Sequence, residues 1–380
     1  MTDDRNRRIP AALRWAGRGI RLSLRSHPLT SSLALLVACV TAGAMAWGSV
    51  RIQGSDSGAV SDQHVDSLVR LASAATNLAE SMEDEADDFA VYIAQGRPDT
   101  LGALLISQGQ AQITNQDAND VSAAARGIGA GYPAQVRAAL VVVRSRLQDL
   151  TAFSQDAEST QTPALEIIQD YTGAISDILA LDEQAASGTG DPTLGSDVRA
   201  LSALAQAEDE AAQQRAILDA ALTANQFQDG DQPALSGAFE LEQADLSNFD
   251  SEATIAQQHD YQNRVSGPDV DNAGQMLQQA LVGGPNAPLN VTNPPGSPFA
   301  SALSSWHNDM TYTLGQMRAV EHDLLAATAA RGQALHAQAT DTALDTWLEM
   351  LGVVLAVVAF AVVVTRRSRS VGGGFHPAAG

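Results

Sequence analysis

The chain contains no lysine: all 22 of its basic residues are arginine. It has one cysteine, and aromatic residues make up only 4% of it. With Cys39 alone, no disulfide can form within the chain, so the large central region is held by packing. Cys39 itself reads best as a small apolar residue inside an apolar helix. Catalytic signatures are also missing. Gly127-Ile128-Gly129-Ala130-Gly131 has glycines at alternate positions, but no strand pattern precedes it and Tyr132-Pro133 ends it, which predicts a loop between helices. Carboxylates are too common here for any pair of them to indicate acid–base chemistry. His322 and His336 lie too far apart on one predicted helix to ligate together, and Glu321, His322 and Asp323 point to different faces. The reading is therefore a non-enzyme with no metal site and no cofactor, with Glu321–Asp323 as exposed polar helix residues.

Positive charge is almost absent from the middle. Between Val50 and Thr346 there are 12 arginines against 41 acidic residues. Such a surface repels nucleic acid and anionic lipid headgroups. The remaining arginines flank two apolar stretches, Leu29–Trp47 and Trp347–Thr365. Each is long enough to cross a hydrocarbon core of about 30 Å as a helix. Arg5, Arg7, Arg8, Arg14, Arg18, Arg21 and Arg25 precede the first, and Arg366, Arg367 and Arg369 follow the second. The positive-inside rule then places both termini in the cytoplasm. The expected layout is a basic tail (1–28), a membrane helix (29–48), an extracytoplasmic domain (49–346), a second membrane helix (347–365) and a short tail (366–380), in the plasma membrane. Ala44-Met45-Ala46 and Leu36-Val37-Ala38-Cys39 leave a cleaved signal or a lipoprotein as alternatives to the first anchor. The apolar run continuing through Val40–Trp47 argues for the anchor.

Between the anchors the periodicity is helical throughout. Val65, Leu68, Ala72, Ala75, Leu78, Met82, Ala86, Phe89 and Ile93 recur at steps of three and four, the seam of a long bundle helix. Glu80, Glu83, Asp84, Asp87 and Asp88 on the same helix read as a solvated face. Prolines at 133, 163, 192 and 233 each mark a helix start. A shorter helix is expected over Asp269–Leu281, and Gly283–Pro298 is the extended loop. Leu303, Trp306, Met310, Leu314, Met317 and Leu324 then form the stripe of a last long helix that could run unbroken into the second membrane segment. The predicted fold is all-α: one or two antiparallel four-helix bundles outside the membrane, between two transmembrane helices.

Two segments resemble the nitrate- and nitrite-sensing (NIT) domain of bacterial receptors. Val198–Leu218 (VRALSALAQAEDEAAQQRAIL), with Asn225-Gln226-Phe227 and the helix 233–249 after it, is similar to a family helix that ends in Lys-Glu, a spacer and Arg-Ala-hydrophobic. Leu165–Ile175, with Tyr171 at its centre, is similar to the family's preceding helix, and Leu78–Ala94 occupies the place of its first. The resemblance covers roughly 65–260. It implies an anion site between two long helices, with arginines from both. Here Asp84 and Ala86 stand where first-helix arginines are expected, Glu208 and Asp209 replace the Lys-Glu pair, and Arg215 alone matches. The candidate ligand-binding residues are thus Arg215, Asp84, Glu208 and Asp209, and a lone guanidinium among carboxylates argues against nitrate. If the Asp84–Asp88 and Glu208–Glu210 clusters face each other, a cationic or zwitterionic ligand is expected. Arg215 also has a purely structural reading, as a surface partner of Asp219 one helical turn on, and that reading is the favoured one.

The cytoplasmic tails are too short to fold as an effector domain. The layout therefore implies a two-span sensor that passes its state to a separate cytoplasmic protein. The alternative is an adaptor whose outer domain docks a solute-binding lipoprotein and signals to a Ser/Thr kinase. Actinobacterial two-span proteins encoded with a glutamine-binding lipoprotein and a soluble kinase resemble it, and a lysine-free, Ala- and Arg-rich composition suits such a high-GC organism. The lipid bilayer is a partner in both cases, nucleic acid in neither, and a homodimer is left open. A reporter active only outside the cytoplasm should work when fused after Gly54 or Gly296 and fail after Gly374; activity at Gly374 would overturn the two-span layout.

Overall fold

Long amphipathic stripes must be buried against one another, and this sets the packing of the helices. A computed structural model describes residues 67–98, 101–186, 191–282 and 288–371. Among these residues it contains nine α-helices and no strand: α1 (67–94), α2 (Leu101–Ala124), α3 (Ala134–Ser159), α4 (Ala164–Ala186), α5 (Pro192–Ala224), α6 (Asp231–Glu252), α7 (Ile255–Arg264), α8 (Pro268–Leu281) and α9 (Ala302–Val371). One helical unit spans Ser61–Leu335. The all-α expectation holds. Apolar segment Leu29–Trp47 and the tails before it and after Val371 lie outside the described residues. Trp347–Thr365 belongs to the backbone of α9, and its side chains lie outside the description. Among the described residues, no helix is long and apolar enough to cross a membrane.

The helical unit has two apolar cores. One joins α1, α2, α3 and α4 through residues such as Leu78, Phe89, Val121, Val143, Ile167 and Tyr171. The other joins α5, α6, α8 and α9 through Leu204, Leu218, Leu235, Met276, Trp306 and Leu314. The turn Thr160–Pro163 is too short for anything but an antiparallel α3–α4 pair. Helix α5 lies between the cores: Ala205 belongs to the first and Leu204 to the second. That position explains why α5 is rich in alanine and buried on nearly every side. Helix α3 carries a single apolar stripe. Val136, Leu140 and Val143 are buried, while Val141, one residue on from Leu140, is 65% exposed.

The helix ends follow local chemistry. Asp191 caps α5 by accepting from the backbone N–H groups of Thr193 and Leu194 at 3.0 and 2.8 Å, with Pro192 in the first turn. Thr254 and Gln257 form a reciprocal capping box on α7, a short helix with no apolar stripe and none foreseen in the sequence. Gly230 precedes α6 at φ +94°, a conformation that favours glycine, and a Cβ there would also press on the Leu165 side chain at 3.0 Å. Arg97 ends α1 in the left-handed region (φ 54°). Its guanidinium donates to the carbonyls of Ala157 and Thr162, which ties α1 to the α3–α4 turn. The indole N–H of the fully buried Trp306 donates to the Arg215 carbonyl at 3.3 Å, fixing the first turns of α9 against α5.

Candidate functional site: a buried charge cluster on three helices

The acidic side of α1 is not solvated, contrary to the expectation from its charge pattern. Glu83 and Asp87 are each only 3% exposed. They face α5 and α9, which bring guanidinium groups to meet them. Asp84, between Glu83 and Asp87 in sequence, keeps its side chain 39% exposed at the edge of the cluster.

Arg318 of α9 is at the centre. Its Nε donates to Glu208 of α5 at 2.7 Å, and its Nη2 donates to Glu83 of α1 at the same distance. Its terminal nitrogens also reach both oxygens of Asp84 at 3.3 and 3.4 Å, and the Glu80 carbonyl at 3.5 Å. Arg215 of α5 donates to Asp84 Oδ1 at 2.8 Å, and its Nε lies 3.2 Å from Asp87 Oδ2. Arg215 is therefore a buried inter-helix residue, and the reading of it as a surface partner of Asp219 is corrected. Asp219 instead holds His307 of α9, Nδ1 to Oδ2, at 2.8 Å, and His307 lies 3.7 Å from Asp87. At the rim His322 meets Glu80 at 2.9 Å, and Thr76 donates to the buried Glu321 at 3.3 Å. Asp323 pairs with Arg264. Of these three neighbours only Glu321 is buried; His322 and Asp323 stay at the surface, each paired there.

Three of the candidate ligand residues, Arg215, Asp84 and Glu208, are joined in this network. The fourth, Asp209, is buried beside it and repels Glu83 electrostatically. Glu83 of α1 lies against Glu208 and Asp209 of α5, whereas Glu210 lies near Asp245 and Glu242. Arg318, Asp219 and His307 were missed. A usable signal was present: only 12 arginines occur in the outer region, and Arg318 follows Met317 directly on a buried stripe. A scarce charge placed there must be paired.

Five carboxylates (Glu83, Asp84, Asp87, Glu208 and Asp219) thus share two guanidiniums and one imidazole. Their protonation reflects the imbalance. Burial, reinforced by repulsion from Glu208, pushes Glu83 well above the usual carboxyl range despite Arg318. Burial pushes Asp219 up to about 8, with Asp87 adding to the effect and His307 opposing it. Burial, then Glu210 and Glu208, raise Asp209, and Glu210 itself rises to about 7 through burial and the nearby Asp245 and Glu242. Asp84 moves the other way. Burial opposes its charge, but Arg318 and Arg215 outweigh it and lower its pKa. The site is a strongly coupled, partly protonated cluster with no surplus positive charge.

These features define an all-α binding or sensing module with a polar centre between helices, and no nucleophile–base pair is set out there. The chain belongs to the family described as nitrate and nitrite sensing (NIT), whose profile matches residues 77–329, more than half of the chain. The matched span extends through Arg318, beyond the 65–260 resemblance. The solved structure of the NasR transcription antiterminator is similar in fold, with a TM-score of 0.63 at 17% identity, covering 83% of this chain and 81% of that one. No curated protein matches the sequence.

Carboxyls with raised pKa values set the sign of the pH dependence. The folded protein keeps protons that the unfolded chain releases above about pH 4, so their contribution is present at low pH and is lost as pH rises through the folded value, about 7 for Glu210. Asp84 acts oppositely, but only in the acid range below about pH 4. The melting temperature should therefore fall between pH 5 and pH 8. Glu83→Gln, which keeps the shape and removes the ionisation, should melt above wild type at pH 8, by about 2–4 °C per kcal/mol regained. Circular-dichroism melts measure both; a wild-type melting temperature that rises over this range would contradict the protonation pattern.

Proposed function

We propose that this protein is a two-pass membrane sensor whose NIT domain lies outside the cytoplasm and passes its state to a separate effector inside. The reading is supported by the apolar and arginine pattern of the sequence together with the family. One observation carries it: the guanidinium of Arg318 on the last helix, α9, joins that helix to α1 through Glu83 and to α5 through Glu208. Anything that rearranges this cluster changes how α1 and α9 meet. In sequence α1 follows one proposed membrane segment and α9 leads into the other, and the helical backbone of α9 runs to Val371. Relative movement of the two is the output such a bundle can deliver.

Nitrate is not the ligand in this account. An anion between α1 and α5 would have to displace Asp84 from Arg215 and Arg318 while remaining close to Glu83, Asp87 and Glu208. Desolvating it there costs more than the displaced pairing returns, because each guanidinium already has a carboxylate that needs no capture. Millimolar nitrate or nitrite should leave the melting temperature of the purified chain unchanged. A rise that scales with nitrate concentration and disappears in Arg215→Ala would show that the domain binds the anion after all.

A further inference from the structure

We propose that Asp87, Asp219 and His307 form a binding site for a divalent transition-metal ion of the zinc type, joining α1, α5 and α9. The three side chains each offer one ligand atom, and those atoms all lie within 4.8 Å of one another. His307 Nδ1 stands 2.8 Å from Asp219 Oδ2 and 3.7 Å from Asp87 Oδ2. In a tetrahedral zinc site with bonds of about 2.0–2.2 Å, ligand atoms are roughly 3.3 Å apart, so the observed separations fall either side of what the ion needs. One imidazole and two carboxylates form a set suited to zinc and its neighbours in the first transition row.

A second observation points to a ligand. Asp87 and Asp219 have side chains only 4% and 0% exposed, and each keeps a buried oxygen, Oδ1, with no hydrogen-bond donor. Two buried carboxylates with unmet acceptor capacity, a few ångströms apart, are costly unless a cation or proton lies between them. Arg215 does not fill this role. Its Nε approaches Asp87 Oδ2 at 3.2 Å without hydrogen-bond geometry, while its firm partner is Asp84. A bound ion would compete with that weaker contact and leave the Asp84 pair intact. The side chain of His307 is 47% exposed, which gives the ion an entry path and leaves room for water in a fourth position.

The site deepens the sensor reading, since it would clamp the start of α9, next to the buried Trp306, onto α1 and α5. Its test is independent of that reading. The purified full-length chain in detergent, stripped with chelator, is titrated with Zn²⁺ and the bound metal counted after dialysis. One equivalent per chain is expected, with affinity lowered at least tenfold in His307→Ala and in Asp219→Asn, and unchanged in His259→Ala on α7. Because His307 is half exposed, its alanine variant should keep the fold, which circular dichroism checks. Co²⁺-loaded wild type should show d–d absorption that His307→Ala lacks. No retained zinc, or zinc retained equally by both ligand variants, would overturn the site. A bound ion with no downstream response would leave the site standing and count against the relay.

Discussion

Two arginines buried among five carboxylates are the constraint on which the rest of this domain depends. A guanidinium inside a helical bundle is tolerable only when its fork of donors is met from several sides, and here Arg318 of α9 is met from both α1 and α5, and Arg215 of α5 from α1. That requirement fixes the register of α1, α5 and α9 more tightly than the surrounding apolar contacts do. A misaligned Arg318 would leave Glu83 and Glu208 buried without their shared partner. The two apolar cores supply the bulk of the stability, and the charge cluster between them selects one arrangement.

The same arithmetic bears on what the domain detects. In a family described by nitrate and nitrite sensing, this member places carboxylates against its own guanidiniums. The positive charge is neutralised internally, with negative charge to spare. A cation or a proton can relieve that surplus; a monovalent anion adds to it. The cluster is thus suited to the opposite sign of ligand, and it lies where α1 and α9 are most directly coupled.

Much of the architecture was legible in the chain, and the reasons are physical. Helices with one apolar stripe, such as α3 with Val136, Leu140 and Val143, announce themselves by period, and prolines at 163 and 192 mark starts because the first turn needs no N–H. Helix α7 was not legible, since its ten residues carry no buried face. The site was half legible. Arg215, Asp84 and Glu208 were singled out through the family pattern, yet their pairing was not, because burial of a charge is decided by partners more than a hundred residues away. For the same reason the acidic run on α1 looked like a wet surface: the local pattern of a solvated face and of a salt-bridged seam is identical until α9 is placed over it.

Arg318 is held by carboxylates of this chain, Glu83 on α1 and Glu208 on α5. A double-mutant cycle with Arg318→Met and Glu208→Gln, read by urea unfolding of the purified chain, measures that contact directly. The predicted coupling is about 0.5–3 kcal/mol, the range for residues sharing one hydrogen-bonded network, and it should be the same with and without nitrate. A coupling energy within error of zero, or one that appears only when nitrate is removed, would contradict the account.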